Sequence, residues 1–368
     1  MQAYDGLLSG LRVLDLSIWR PGPYATQLLA DLGADVLKLE PPNGDPMRVF
    51  PELFARLNAN KRSVVLDLKQ AAQRDRAYEL VAEADALVEG FRPGVAARLG
   101  MGESTVREVN PDLVYCSVSG FGQDGPLALR PGHDLNYQAY AGVLAPNGGP
   151  PVESALPIAD LAGGTFAALA VCAALIGRSR TGAGEHVDVA MTDVLATWTG
   201  PLATTAMAGT DRPLGGLPTY GSFLTADDRW ITLGVLNEQH LWTAVCAVLG
   251  LDDLAGVEML ERLDRHDEVR GRVVEAIRAR PLDELLDAFG SAAPVAPVLS
   301  RGEMLDAPQF RARGLIEGVA GDGQPLMGYP VRFGTRRARP SGHAPRLGEH
   351  QSDGFLPRPA SGAGDRPS

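Results

Sequence analysis

The chain has 368 residues, of which 45% are apolar and 21% charged, and a formal net charge of −11. The apolar and charged shares are those of a globular protein, and the length suits two domains rather than one small core. The negative balance excludes attraction of the whole surface to nucleic acid or to an anionic membrane, so a phosphorylated ligand needs a local basic patch.

The cysteines Cys116, Cys172 and Cys246 lie far apart in apolar stretches and show no metal-ligand spacing. They read as buried free thiols in a reducing compartment. Residues 1–10 lack the basic start and apolar core of a secretory signal, so a cytoplasmic protein is expected. An apolar helix near residues 165–176 is shorter than a bilayer requires, and no membrane association is expected.

In chain order, residues 11–16 read as a buried strand and residues 24–32 as a helix with Pro23 in its first turn. Gly33 closes the helix and residues 35–39 form the next strand. This βαβ start predicts a parallel, doubly wound sheet. Strands at 63–68, 85–88 and 114–119 continue it, with a helix over 71–84. Residues 120–157 are rich in Gly and Pro and read as a long functional loop region. An apolar helix over 161–178 and a strand over 186–190 follow.

Residues 1–200 are therefore assigned to a large Rossmann-like domain, completed by about 328–350. Residues 201–224 read as a linker, 225–315 as a smaller α+β domain and 316–327 as a return linker. Residues 351–368 read as a disordered tail.

The first βαβ unit suggests a dinucleotide fold, yet the loop Trp19-Arg20-Pro21-Gly22-Pro23 has no G-x-G-x-x-G, and its prolines remove donors that a pyrophosphate would use. Basic residues recur at strand ends and loops: Lys38, Lys61, Arg62, Lys69, Arg92 and Arg98. They form a candidate polyphosphate site, against the alternative of solvated surface charge. His133, within Gly132-His133-Asp134-Leu135-Asn136-Tyr137, and Asp160, followed by Gly163 and Gly164, are the candidate chemical pair. A histidine and a carboxylate converging on one carbon suit proton transfer, whereas Asp160 acting alone suits acyl transfer through a carboxylate nucleophile. Asp134 is placed to orient the imidazole. The glycines would let a ligand approach the helix start, whose N–H groups would face an oxyanion. A loop histidine without chemistry, an N-capping Asp160 and a capping Glu238 are the plain alternatives.

Taken together, several runs resemble the family III CoA-transferases (CaiB/BaiF), a family that includes carnitine and formyl-CoA transferases and α-methylacyl-CoA racemases. They are Arg20-Pro21-Gly22-Pro23, Asn60-Lys61-Arg62-Ser63, Gly90-Phe91-Arg92-Pro93-Gly94, Gly120-Phe121-Gly122, residues 132–137, Asp160 with Gly163, and Ala312-Arg313-Gly314-Leu315. The resemblance implies an interlocked homodimer with an acyl-CoA thioester bound between the large domain of one subunit and the small domain of the other. It implies CoA contacts at Arg20, Pro21, Lys38, Lys69, Gly90, Phe91, Arg92, Arg98, Asp134 and Tyr137. Catalytic roles fall to His133, Asp160 and Glu238, with no metal or redox cofactor and CoA present only as part of the substrate. The block His133-Asp134-Leu135-Asn136-Tyr137 resembles the racemase branch. The leading expectation is therefore racemisation of a 2-methylacyl-CoA through an enolate, with Glu238 of the partner orienting His133. The alternative is CoA transfer between carboxylic acids through an anhydride on Asp160. A non-catalytic acyl-CoA-binding protein is the third reading.

Overall fold

The computed structural model describes residues 6–144, 150–207, 217–319, 325–338 and 343–359. It divides into two compact units, Met1–Ala203 with Ala312–Ser368, and Thr204–Arg311.

The larger unit opens with β1 (Arg12–Asp15), α1 (Pro21–Asp31), β2 (Asp35–Glu40), α2 (Pro51–Asn58), β3 (Arg62–Val65), α3 (Ala71–Glu83) and β4 (Ala86–Glu89). It continues with α4 (Val95–Arg98), α5 (Glu103–Val109), β5 (Val114–Ser119), α6 (Asp134–Tyr140), α7 (Ile158–Thr181), β6 (His186–Ala190) and α8 (Met191–Met207). The six strands form one parallel sheet in the order β3-β2-β1-β4-β5-β6. This is the expected doubly wound sheet. Its connections change direction between β1 and β4, and in open α/β sheets such a switch opens a crevice at the carboxyl ends of the strands.

Helices cover both faces, so the inner strands are buried on both sides, while the edge strand β6 alternates with His186 and Asp188 exposed. Val13, Val36, Val88 and Cys116 face α1 and α7, while Leu14, Leu37, Leu87 and Tyr115 face the opposite core with Leu80 of α3 and Val106 of α5. Helix α1 begins at Pro21, where a missing N–H costs little. It packs closely against α7 because Gly164 has no side chain: a Cβ there would lie 2.6 Å from the Pro21 carbonyl oxygen.

Several expectations change. The loop region over 120–157 contains a helix, α6, and residues 145–149 of it lie outside the described residues. Helix α7 has 24 residues, three more at each end than the helix expected over 161–178, and is long and apolar enough by composition to cross a membrane. One side of it, including Ala159, Ala162, Ala167 and Val171, belongs to the core of this unit, while Leu169 and Ile176 are exposed. The tail is ordered as far as the description reaches. Phe355 is buried, the Gln351 side chain pairs with both backbone groups of Val65, and the Leu356 N–H donates to Asp35. Residues 360–368 lie outside the described residues.

The smaller unit contains β7 (Tyr220–Leu224), β8 (Trp230–Gly234), α9 (Gln239–Leu249), α10 (Met259–Asp264), α11 (His266–Arg278), α12 (Leu282–Phe289), β9 (Val295–Pro297) and α13 (Arg301–Asp306). Its antiparallel sheet, β7-β8-β9, and its helices enclose Phe223, Ile231, Trp242, Val269 and Phe289. The stretch expected as a linker over 201–224 starts inside α8 and ends in β7, and residues 208–216 lie outside the described residues. Helix α14 (Pro308–Ala312) leads to the paired strands β10 (Ile316–Val319) and β11 (Pro325–Met327), then to β12 (Arg332–Phe333) and β13 (Arg336–Arg337). The expected return linker thus contains a strand pair, and its residues 320–324 lie outside the described residues.

Beneath the switch point lies a buried ion network. The side chains of Asp15, Lys38, Asp45 and Lys61 are inaccessible or nearly so. Lys38 Nζ donates to the Ser17 carbonyl at 2.7 Å and lies 3.0 Å from Asp45 and 3.8 Å from Asp15. Lys61 Nζ meets Asp15 at 3.0 Å, the Pro23 carbonyl at 2.8 Å and Thr26 Oγ1 at 2.7 Å. Burial alone would raise the Asp15 carboxyl, but the two ammonium groups and the Ser17 and Thr26 hydroxyls overcome it and hold it far below the usual range. Burial pushes Lys61 down to about 8 against the pull of Asp15. Lys38, expected to contact a ligand, is therefore an internal structural cation. Replacing it by Met leaves Asp45 without its cation, and the variant is expected to lose roughly 3–5 kcal/mol of unfolding free energy in a denaturant titration.

Candidate active site

The loops that follow β1, β4 and β5 meet at the switch point and enclose a cavity of about 540 Å³. Arg20, Pro21, Gly90, Phe91, Arg92, His133, Tyr137 and Asp160 all line it, so eight of the thirteen residues singled out from the sequence converge. The loops after β1 and β4 approach so closely that a Cβ on Gly90 would lie 3.4 Å from Ser17 Cβ. A second cavity of about 520 Å³ opens at the ends of β2 and β3, lined by Leu39, Leu66, Leu68, Lys69 and Leu99. Ile18 and Phe91 line both cavities. Phe91 is held in place by its N–H, which donates to the buried Glu89 carboxylate at 2.7 Å.

Asp160 stands in the first turn of α7, whose N-cap is Pro157, and its side chain makes no cap bond. The capping alternative therefore does not apply. Its own N–H donates to Asp134 Oδ1 at 3.0 Å, which ties the start of α7 to the start of α6. The nearest cation is Arg20, with Nε 3.9 Å from Asp160 Oδ2. Burial pushes the Asp160 carboxyl up to about 7, Asp134 adds to the rise, and Arg20 opposes it.

Tyr137 fills the space left by two glycines, since a Cβ on Gly120 or Gly132 would lie 2.2 or 2.7 Å from its ring. Its hydroxyl donates to the Gly132 carbonyl at 2.6 Å. His133 is the exposed N-cap residue of α6, and its N–H donates to Asn136 Oδ1 at 2.9 Å.

Other expectations are corrected. Asp134 does not line either cavity: one carboxylate oxygen accepts from the Asp160 N–H and the other from the Gln138 amide, so it is engaged away from the imidazole. Gly163 and Gly164 do not open the helix start to a ligand. Their missing side chains make room for Met191 and for α1. The N–H groups after Asp160 belong to the helix ladder, beginning with Leu161 to the Pro157 carbonyl at 3.0 Å, and are not available to an oxyanion. Lys38 and Lys61 are internal, and Arg62 is paired with Asp35. Arg98 is exposed on α4 and lines neither cavity. Glu238 belongs to the smaller unit, at the N-cap of α9, where its carboxylate accepts from the Leu236 N–H at 3.0 Å.

The sequence reading missed Trp19 and Arg130 as cavity residues. Arg130 stands three residues before His133 in the same loop, a signal available from the sequence. Trp19 gives no such signal, because its role comes from a left-handed backbone, φ 64°, that only the fold reveals. Among the described residues no cluster of His, Cys, Asp or Glu is arranged to hold a metal ion.

The larger unit is a doubly wound α/β fold with a half-buried carboxyl in the crevice at its switch point. The sequence pattern of CoA-transferase family III matches residues 8–351, and the chain belongs to that family. It is 34% identical over 372 residues to the acetyl-CoA:oxalate CoA-transferase of Acetobacter aceti, covering 94% of each chain. It is 32% identical over 379 residues to the succinyl-CoA:mesaconate CoA-transferase of Haloarcula marismortui, covering 95% of each. A CaiB/BaiF family protein from Brucella suis has the same fold, with a TM-score of 0.84 and 28% identity over 95% of this chain and 98% of that one. The protein is an enzyme of the family III CoA-transferase type. Both named relatives are CoA-transferases, so the comparison favours the alternative reading over the racemase placed first from the sequence.

The perturbed Asp160 has a consequence for stability. Its folded-state pKa lies above the unfolded value, so the folded chain favours the neutral acid. Well below pH 3.8 the carboxyl is neutral in both states. Stability is lost progressively as pH rises from the unfolded value of 3.8 through about 7, by up to about 4 kcal/mol. Asp160→Asn is therefore expected to raise the thermal midpoint at pH 8 and to change it far less at pH 4, measured by calorimetry at both values.

Proposed function

We propose that this enzyme moves CoA between two carboxylic acids, with Asp160 as the covalent carrier. The observation that carries this reading is the Asp160 carboxyl in the wall of the switch-point cavity, partly desolvated and beside a cation. The names of the relatives support it.

In this mechanism an ionised Asp160 oxygen attacks the thioester carbonyl, the C–S bond breaks, CoA leaves as its thiolate and an acyl–Asp160 anhydride forms. The thiolate attacks the Asp160 carbonyl of the anhydride, releasing the donor acid as a carboxylate and leaving CoA on Asp160. The acceptor carboxylate attacks that thioester, a second anhydride forms, and the returning thiolate takes the acceptor acyl group. Atoms and charge balance with no other reactant. Desolvation makes the attacking carboxylate a stronger nucleophile than it is in water, and the same exclusion of water protects the anhydrides from hydrolysis.

The CoA moiety is assigned to the two neighbouring cavities, which share Ile18 and Phe91 in their walls: its nucleotide end to the second, beside Lys69, and its thioester end to the first. Arg92 then serves the phosphates. The interlocked dimer and a contribution from Glu238 of the partner subunit belong to the same reading. His133 is a pocket residue here, consistent with Asp134 being engaged elsewhere.

Two measurements test the choice. Hydroxylamine added during turnover is expected to leave a hydroxamate on the peptide carrying Asp160, and His133→Ala is expected to retain that labelling and most CoA transfer. Loss of the α-proton of a 2-methylacyl-CoA in D2O without any acceptor acid, with no hydroxamate, would instead return the racemase. The rate of hydroxamate formation is expected to rise with pH and level off above about 7, as the Asp160 carboxyl ionises.

A further inference from the structure

We infer that Arg20 is the binding group for the acceptor carboxylate, and that it becomes available only while Asp160 carries a covalent group. This rests on the carrier role proposed for Asp160. Two features of the structure point to it.

The first is the state of the guanidinium. It lines the cavity, its side chain is about one quarter exposed, and its Nε stands 3.9 Å from Asp160 Oδ2, too far for a hydrogen bond. Among the described residues no hydrogen bond is formed by any of its N–H groups, although an arginine offers five in a planar fork that matches a carboxylate. With the N–H groups after Asp160 tied into α7, Arg20 is the cation beside the reacting carboxyl.

The second is the backbone that carries it. Trp19, immediately before Arg20, adopts the left-handed conformation that bulky residues avoid, and residues held this way cluster at functional sites. The conformation is imposed from beneath. The Trp19 N–H donates to Asp45 Oδ1 at 3.3 Å, Asp45 is held by Lys38 at 3.0 Å, and Lys38 also holds the Ser17 carbonyl. On the other side, Pro21 begins α1. The ion network thus aims Arg20 into the cavity, and Lys38 and Asp45 act as positioning residues.

The charge sequence follows from the chemistry. In the resting enzyme an ionised Asp160, the form that reacts and that prevails above about pH 7, is the counter-ion of Arg20 and competes with any incoming anion. Once Asp160 is an anhydride or a thioester its charge is gone, and the guanidinium is left uncompensated at the stage when the acceptor anion must enter. Acceptor binding is thereby coupled to the covalent state, and free carboxylates do not block the resting site.

Asp160→Asn reproduces the neutral state of Asp160 without turnover. At pH 8, acetate, oxalate and succinate are each titrated by calorimetry into the wild type, Asp160→Asn, and Asp160→Asn combined with Arg20→Met or Arg20→Lys, each first checked for cooperative unfolding at or above the wild-type midpoint. At least one carboxylate is expected to bind Asp160→Asn about tenfold or more tightly than the wild type, the usual worth of a hydrogen bond to a charged group. The gain is expected to vanish with Arg20→Met and to return in part with Arg20→Lys. No gain for any of the three acids, or a gain that survives Arg20→Met, overturns the inference. A wild type that yields no hydroxamate on Asp160 would sink the carrier role separately, because the binding test requires no catalysis.

Discussion

Two lysines buried between two aspartates, where β1 and β2 end, form the constraint on which the rest of the larger unit depends. Such a cluster gains little net stability, because desolvating four charges offsets most of their attraction. What it supplies is definition. Lys61 draws together Asp15 of β1, the Pro23 carbonyl and Thr26 in α1, and Asn58 of α2. Lys38 holds the turn at Ser17 and, through Asp45, the loop at Trp19. A purely apolar cluster would pack as well, yet it would not dictate where the backbone of residues 17–20 lies. That stretch forms one wall of the cavity.

A second set of constraints acts on Asp160 from α7, which packs against α1 on the same face of the sheet. Glycines 163 and 164 let α7 settle against Met191 and α1, and Asp134 fixes the first turn by accepting the Asp160 N–H. The carboxyl is left in a place where ionisation is unfavourable, so the folded protein gives up stability at neutral pH to hold a reactive group. Stability sacrificed at a reacting residue is the usual sign of a site shaped for chemistry rather than for packing. The Arg20 guanidinium limits the rise without cancelling it, because the 3.9 Å separation leaves the ion pair weak.

The distribution of positive charge shows how composition can mislead about a site. Apart from Arg98, which is exposed and lines neither cavity, the basic residues read as one polyphosphate patch separate into two kinds. Lys38, Lys61 and Arg62 satisfy internal or half-buried acids, while Arg92 and Lys69 face the two cavities. Sequence gives no means of telling them apart, since a lysine at a strand end faces inward or outward according to what the neighbouring strand presents. In parallel register, Lys38 lies beside Asp15 and is turned inward.

Much of the chain was nonetheless legible. Largely apolar runs marked the inner strands of the large sheet, because strands covered on both faces are apolar throughout, while the edge strand β6 alternates exposed His186 and Asp188 with Val187 and Val189. His133 and Asp160 stood out by residue type and local spacing, and the fold brings both to one cavity. Helix α6 was hidden by its Gly- and Pro-rich surroundings, and the order in the segment over 351–359 by a composition that favours disorder, since each is stabilised by contacts with distant residues. The local pattern by itself determined the parallel α/β architecture, the family and the candidate aspartate, for these depend on periodicity and on neighbours close in the chain. Only the tertiary structure decided that Lys38 is internal, that Asp134 serves Asp160 rather than His133, and that Arg20 faces the carboxyl. Those roles depend on partners between 7 and 140 residues away, and which charge meets which is set by how the sheet and helices close around them.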